Sequence, residues 1–443
     1  MIPLPLEFKS MIEKMLGDEA PAFFASLEEN PTLALRLNPA KEAALAAAQE
    51  YISSNVPWEK YGYYLKDGAR PGAGIFHAAG AFYLQEASAM LSVAVMKPMP
   101  GERILDLCAA PGGKSTQIAG YMNGKGLLIS NEPEPSRCRV LASNIERMGY
   151  MHAAVVNAYP DGLSAHWTEE FDAILCDAPC SGEGMFRRDK NARLEWKPGS
   201  PAGCAKRQAE ILDQAAKMLK KGGRLIYSTC TFNPDENENT ISAFLDRHPD
   251  FHAEDFEIEG VGRSTNGCIR IFPHRHAGDG HFAAKLVKDG EAKKPAYKPA
   301  KIDKDTQNLI KMLEDTVCAL PENLKNREFA RIGEYLYAIP ENCPDMKGIK
   351  CVLPGACILR IGKNYIEPAH ALAMGMDVGN AHRRIDLTQD EAVKYLAGEA
   401  IETDAEKGWT LVTYQNLALG WGKVSGGLIK NHLPKGLRLS LHL

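Results

Sequence analysis

From residue 103 to residue 287 the chain alternates short apolar runs with longer amphipathic stretches, and most of the early runs end on a polar or nucleophilic residue. The runs at 103–107, 126–131, 153–156, 171–176 and 224–228 have the length and aliphatic content of buried strands. Helical stretches lie between them, at 136–148 and 204–219, the second expected to stop at Gly222-Gly223. Strands separated by helices pair in parallel, with helices on both faces, so this pattern predicts a doubly wound α/β domain. Later runs at 268–272 and 281–287 are read as a hairpin that completes the sheet. In an open parallel sheet the ligand crevice forms at the carboxyl ends of the strands. The residues that follow each run are therefore the ones to examine.

A length of 443 residues allows two to four domains. Phe8, Met11, Ile12, Met15 and Leu16 recur at helical spacing, and residues 42–51 and 86–95 read as further helices. Residues 1–98 are thus expected to form an N-terminal cap, and 99–288 the α/β domain. Lys, Pro and Ala crowd the stretch 289–304, which reads as a linker. Beyond it, 305–375 looks mixed, and 376–443 combines a helix near 388–396 with short strands and turns.

The first strand runs into Asp106-Leu107-Cys108-Ala109-Ala110-Pro111-Gly112-Gly113-Lys114-Ser115. Small residues let a ligand approach the backbone, and the following helix start offers free N–H groups to an anionic moiety. The spacing is not that of a phosphate-binding P-loop. A nucleoside bearing a carboxylate, such as S-adenosylmethionine, fits better than a pyrophosphate. Glu132, at the end of the second strand, is placed to accept hydrogen bonds from ribose hydroxyls, although a solvated strand-end acid is commonplace. Asn157, after the third, could read an adenine or ribose edge, or simply form a turn.

The fourth and fifth strands lead into Asp177-Ala178-Pro179-Cys180-Ser181-Gly182 and Ser228-Thr229-Cys230-Thr231. Neighbouring strand ends would let Cys180 and Cys230 face one substrate. A thiolate can add to an electrophilic carbon and a second thiol can help undo the adduct, which is what alkylating C5 of a pyrimidine requires. Asp177 would meet either the sulfonium side of the cofactor or N3 and the exocyclic amine of a cytosine. Lys114 is a candidate source of the positive charge that a thiolate needs. Cys176, inside a strand, reads as an inert core thiol.

These motifs together closely resemble the Sun-type family of RNA cytosine-5 methyltransferases. Further matches are Tyr83-Leu84-Gln85-Glu86-Ala87-Ser88 before the core and Arg270-Ile271-Phe272-Pro273-His274 with Asp279-Gly280-His281-Phe282 after it. Gly182-Glu183-Gly184-Met185-Phe186-Arg187 and the tail around Leu419-Gly420-Trp421-Gly422-Lys423 look like the RsmF-type ribosomal RNA branch. The resemblance implies a Rossmann-like, S-adenosylmethionine-dependent methyltransferase core with an RNA-binding N-terminal α/β cap over 1–98, a small C-terminal α+β domain and a PUA-like, RNA-binding β domain. It implies that Cys230 attacks C6 of the cytosine, that Cys180 assists proton loss and release, and that Asp177 stabilises the protonated ring. Cys108, Ala109, Ala110, Pro111, Gly112, Gly113, Lys114, Glu132, Asn157 and Asp177 would hold the cofactor. Many relatives carry Asp where Asn157 stands. The implied substrate is 16S ribosomal RNA or the small subunit. DNA cytosine-5 methylation, methylation of transfer RNA and a non-catalytic assembly factor are the competing readings.

Lys423, Lys430, Lys435 and Arg438 crowd the tail with no acid between residues 420 and 443. With Trp409 and Trp421 they could pair phosphate contact with base stacking. Arg187 and Arg188, with Lys190, Arg193 and Lys197, are candidates to grip RNA near the site. The net charge of −4 leaves any polyanion binding to such local patches. Eleven scattered cysteines read as reduced thiols of a cytoplasmic protein, and their spacing suggests no metal site. No run approaches the length of a membrane span, and no leader pattern begins the chain. No obligate protein partner is expected, and a monomer is.

Overall fold

The computed structural model describes residues 2–291 and 302–439, so most of the expected linker lies outside the described residues. The central sheet is built from β1 (Arg103–Asp106), β2 (Leu127–Asn131), β3 (Ala153–Val156), β4 (Phe171–Asp177) and β5 (Leu219–Thr229). It is completed by β6 (Phe251–Ala253), β7 (Cys268–Ile271), β8 (His281–Lys288) and β9 (Cys351–Leu353). The order is β6-β8-β5-β4-β1-β2-β3-β9, with β7 also paired to β8. β1 to β5 are mutually parallel, as continuous apolar runs buried on both faces demand. β8 runs antiparallel to β5 and pairs β7 from Cys268↔Ala284 to Ile271↔His281, the expected hairpin.

Helices α1 (Gly113–Met122), α2 (Pro135–Met148), α3 (Ser200–Met218) and α4 (Glu238–Arg247) accompany these strands. α2 shows why its sequence folds locally. The Glu134 side chain accepts the Ser136 N–H, Pro135 occupies the first turn, and Gly149 ends the helix at φ +77°. Cys138, Leu141, Ile145 and Met148 form its buried stripe.

Several boundaries differ from expectation. The 204–219 helix begins at Ser200 and stops at Met218, where Leu219 turns extended. Gly222 and Gly223 sit instead inside β5, where the register jumps from Phe171↔Leu219 to Ala173↔Arg224. A Cβ at Gly223 would lie 2.9 Å from the Asp172 carbonyl, so the loop-out needs glycine. Residues 86–95 are not one helix: a 3-10 turn, Ser88–Met90, precedes Leu91–Met96. Glu86 stays outside it, its carboxylate accepting the N–H groups of Ser88 and Ala89. The helix expected at 42–51 shrinks to Ala44–Ala48 before the chain enters a strand at Ile52.

The N-terminal segment contributes a four-stranded antiparallel sheet of Ala34–Leu37, Ile52–Asn55, Gly62–Leu65 and Phe82–Leu84. Its helices Leu6–Leu16 and Ala20–Ser26 carry Phe8 and Phe23 onto Phe186 and Phe232, with ring centroids 5.0 Å apart in each pair. Phe186 and Phe232 follow Cys180 and Cys230, so this aromatic cluster props both cysteine loops from behind. After residue 302 the chain forms a four-stranded sheet, then a five-stranded one beside the helix Gln389–Ala397. β9, from the first of these C-terminal segments, extends the catalytic sheet by pairing Cys351 with Val156.

Candidate active site

Strand order reverses at β1, which has β2 on one side and β4 on the other. This is the switch point where ligands bind in open α/β sheets. A cleft of about 1090 Å³ opens there, lined by Cys108, Ala110, Glu132, Asp177, Cys180 and Cys230 among others. Ala109, Pro111, Gly113 and Lys114 face a smaller cavity of about 220 Å³. Cys108, Ala110 and Asp177 line both, so the Cys108–Lys114 loop and Asp177 divide the two spaces.

On the β1–β2 side, Gly112 adopts φ +114°, and α1 starts at Gly113. The Ser115 hydroxyl donates to Asp106 Oδ2 at 2.6 Å and fixes that start to the end of β1. Burial drives the Asp106 carboxyl up to about 7; the Ser115 hydroxyl opposes this and the charge of Asp177 adds to it. Asn131 ties the ends of β1 and β3 together, donating to the Leu107 carbonyl at 3.0 Å and accepting the Ala158 N–H at 3.1 Å. The Glu132 carboxylate is buried in the cleft wall, with one oxygen on the Glu134 N–H at 3.0 Å and the other 3.6 Å from Arg137. A small-residue loop, a helix N-terminus and a strand-end carboxylate are the donors and acceptors that a nucleoside with an amino-acid tail requires. Asn157 is placed differently. Its amide donates to the carbonyls of Glu132 and Pro133 at 2.8 and 2.9 Å, so it braces the Glu132 turn rather than lining the cleft. Tyr159, Asp161 and Arg137 line the cleft and were not singled out by sequence. Their signal was position alone: Tyr159 and Asp161 shortly after β3, and Arg137 in the first turn of α2.

On the β4–β5 side, the parallel register sets Asp177 opposite Ser228, and the Ala178 N–H donates to the Ser228 carbonyl at 2.9 Å. That register brings the Cys180 and Cys230 sulfurs to 3.3 Å. Contact with Cys230, reinforced by burial, pushes the Cys180 thiol well above its ordinary range. Asp177 accepts from Lys114 Nζ at 2.7 Å and from the Ser228 hydroxyl at 2.7 Å, with His281 Nε2 at 3.6 Å. Burial alone would raise the Asp177 carboxyl, but Lys114 and His281 outweigh it and hold it well below the usual range. Lys114 is raised in turn, because Asp177 and Cys230 offset its burial. Cys176 is fully buried in β4.

Two buried carboxyls lie behind the thiols, Glu236 outside every motif read from the sequence and Glu183 inside one that gave it no role. Glu236 accepts the Ser181 N–H at 2.9 Å, the Gln208 amide at 3.0 Å and the Ser181 hydroxyl, which also bonds Thr231 at 2.9 Å. Glu183 accepts the Phe232 N–H at 3.0 Å, and burial raises it to about 7. Both sit within six residues of a site cysteine, in stretches that read as solvated polar loops. Together they cross-link the Cys180 loop to the Cys230 loop.

The basic residues divide. Arg187 is only 6 % exposed and donates to the carbonyls of Gly278 and Asn30 at 3.1 and 2.7 Å. Arg188 pairs with Asp279 and the Thr32 carbonyl, and Arg193 is buried against Glu28 and Leu27. Arg187 and Arg193 therefore anchor the Cys180 loop to the N-terminal segment instead of presenting charge to solvent. Trp421 and Trp409 are also interior, at 1 % and 6 % exposure, which corrects the expectation that they stack on bases. Lys423 and Lys430 are exposed and face each other across adjacent strands. Among the described residues no carboxylate lies within ion-pair distance of Lys423, Lys430, Lys435 or Arg438. No group of three or more His, Cys, Asp or Glu among the described residues is arranged to hold a metal ion, and no described helix is long and apolar enough to cross a membrane.

Residues 93–287, which hold the whole cleft, match the family described as 16S rRNA methyltransferase RsmB/F. Residues 4–87 match the N-terminal domain of 16S rRNA methyltransferase RsmF, 300–376 the RsmF first C-terminal domain, and 382–439 the RsmF PUA domain. Ribosomal RNA small subunit methyltransferase F of Aliivibrio fischeri strain MJ11 is 31 % identical, over 94 % of this chain and 93 % of its own length. The chain belongs to the RsmF family. That of Klebsiella pneumoniae strain 342 is 32 % identical, over 91 % of this chain and 88 % of its own. Among solved structures, a methyltransferase homologue from Pyrococcus horikoshii superposes with TM-score 0.56 at 26 % identity, covering 65 % of this chain and 96 % of that one. NSun6 from the same organism, solved with SFG, shares the fold at TM-score 0.55 and 21 % identity, covering 65 % and 99 %. As an RsmF-family member the chain is an RNA methyltransferase whose cofactor is S-adenosylmethionine.

Proposed function

We propose that this protein methylates C5 of a cytosine in small-subunit ribosomal RNA, with Cys230 as nucleophile and Cys180 as the thiol that completes the reaction. The observation that carries this reading is the pair of sulfurs 3.3 Å apart at neighbouring strand ends, opening on the cofactor cleft. Ring methylation at C5 needs a nucleophile and a proton acceptor at one carbon–carbon bond, and one thiol beside another can supply both.

In this reading the Cys230 thiolate forms a bond to C6, and C5 becomes nucleophilic. S-adenosylmethionine, held by Cys108, Ala109, Ala110, Pro111, Gly112, Gly113, Lys114 and Glu132, supplies the methyl group. With Cys230 tied up in the C6 thioether, its charge no longer opposes ionisation of Cys180, which gives its own proton to solvent and then takes the C5 proton; the C5–C6 double bond re-forms and the Cys230 sulfur leaves as thiolate. Asp177, kept ionised by Lys114, faces N3 and the exocyclic amine and offsets positive charge developing there. The raised Cys180 thiol suits a group that must not compete as nucleophile. Because the base must reach a thiol inside a crevice, the target is unpaired or flipped out of its stack. Lys423, Lys430, Lys435 and Arg438, on the PUA-like domain, contribute phosphate contacts. The protein acts as a cytoplasmic monomer.

The test is transfer of labelled methyl from S-adenosylmethionine to 16S ribosomal RNA, followed by bisulfite mapping. Label at a cytosine C5 is expected. Cofactor and RNA binding without transfer would favour a non-catalytic assembly factor, and label only on transfer RNA would redirect the substrate.

A further inference from the structure

A second groove, of about 380 Å³, lies on the N-terminal sheet and shares Leu84, Gln85 and Glu86 with the smaller cavity beside Lys114 and Asp177. The three spaces therefore follow one another, from the cofactor cleft past Asp177 to the N-terminal surface. Their charges differ. The rim of the large cleft carries the exposed carboxylates of Glu134, Asp161 and Glu210, only partly offset by the exposed Arg137 and Arg207. The outer groove instead carries Arg70 and Arg188. Arg70 is exposed and has no carboxylate within ion-pair distance among the described residues. Glu86, the acid on this path, is turned inward onto the N–H groups of Ser88, Ala89 and Asp279. Leu33 and Leu84, 46 % and 38 % exposed, give the groove an apolar floor.

We propose that the single-stranded RNA segment next to the target cytosine runs along this N-terminal groove, with a phosphate on Arg70 and a base against Leu33 and Leu84. This rests on the reading of RNA as substrate and deepens it by assigning the path. Two physical arguments select this route. An RNA strand leaving the site must exit somewhere, and a phosphate on the cleft rim meets three exposed carboxylates against two arginines, whereas one in the outer groove meets Arg70 with no carboxylate in ion-pair distance. Unpaired bases also favour an apolar platform over open water.

The probe is in vitro transcribed 16S ribosomal RNA carrying 4-thiouridine, with the full-length protein. Arg70→Glu should raise the RNA KM about tenfold, leave the S-adenosylmethionine KM within about twofold, and lower the salt slope of binding by about one. Arg70→Lys should restore all three. Leu84→Glu should reproduce the RNA defect through a different residue, and thiouridine cross-links on wild type should map to residues 66–86. Unchanged RNA KM in both Arg70→Glu and Leu84→Glu, or cross-links confined to Tyr159 and Arg207, would overturn the path. Filter binding and cross-linking do not require turnover. If methyl transfer to cytosine failed while cross-links still fell on the groove, the reaction assigned above would be wrong and the path would stand.

Discussion

Cys180 and Cys230 lie with their sulfurs 3.3 Å apart, though fifty residues separate them in sequence. Two thiols so close cannot both ionise, since the second charge would form against the first at contact distance. The raised Cys180 thiol reflects that contact, and the resemblance to Sun-type enzymes assigns attack to Cys230 and release to Cys180. Cys180→Ala should therefore accumulate a covalent RNA–protein adduct, seen as a shifted band on a denaturing gel, with turnover reduced at least a hundredfold. Cys230→Ala should show neither adduct nor methylation. The reverse pattern would exchange the two assignments.

Lys114 and Asp177 form an ion pair at 2.7 Å, with the lysine side chain 13 % and the aspartate side chain 27 % exposed. Lys114→Met leaves that carboxylate partly buried and uncompensated. A loss of roughly 1–3 kcal/mol in unfolding free energy is expected, below the cost for a fully buried pair because Asp177 keeps some water. The sign with pH follows from the depressed Asp177 carboxyl. Its stabilisation is complete above the unfolded value of about 4 and fades as pH falls toward the lower folded one. Wild type and variant should therefore converge in denaturant titrations at strongly acidic pH and diverge above about pH 4.

Asp106 behaves in the opposite sense. With its folded value at about 7, the native state binds more protons than the unfolded state from about pH 4 to 7, so stability falls as pH rises through that window. Asp106→Asn removes this titration while still accepting from Ser115. Its Tm should fall less than wild type between pH 5.5 and 8. Glu183, also held at about 7, leaves part of the slope in place. An identical Tm change in both proteins would refute the assignment.

Glu236 joins the two cysteine loops through Ser181, Thr231 and Gln208. Glu236→Ala strands the buried Ser181 and Gln208 groups and should cost about 2–4 kcal/mol by chemical denaturation. Glu236→Gln can still accept from Ser181 and should recover more than half of that. If loop registry matters to the chemistry, single-turnover methylation should track the same order.

In the C-terminal domain the lysines and tryptophans should separate cleanly. Lys423 and Lys430 are exposed partners across a strand pair, so replacing both with Ala should weaken RNA binding and reduce its salt slope by about two, with Tm unchanged. Trp421, 1 % exposed with its indole N–H on the Ala369 carbonyl, is core. Trp421→Ala should lower stability by about 3–5 kcal/mol, read by thermal unfolding.

The sequence by itself determined the parallel core, the hairpin that closes it and the strand ends where chemistry could occur. Buried parallel strands are continuous apolar runs, and motifs at their ends need no distant partner to be recognised. It could not determine β9, whose three residues join β3 across nearly two hundred positions, nor the turning of Arg187 and Trp421 inward. Burial depends on what the rest of the chain packs against a residue, and that is absent from local pattern. Nor could it show that Glu183 and Glu236 are enclosed and tie the two cysteine loops together, because a carboxylate in a polar loop reads alike whether solvated or buried. For the two cysteines, sequence supplied the thiols and their strand ends. Only the β4–β5 register, fixed by five consecutive residues of backbone pairing after the glycine loop-out, decided that the sulfurs meet.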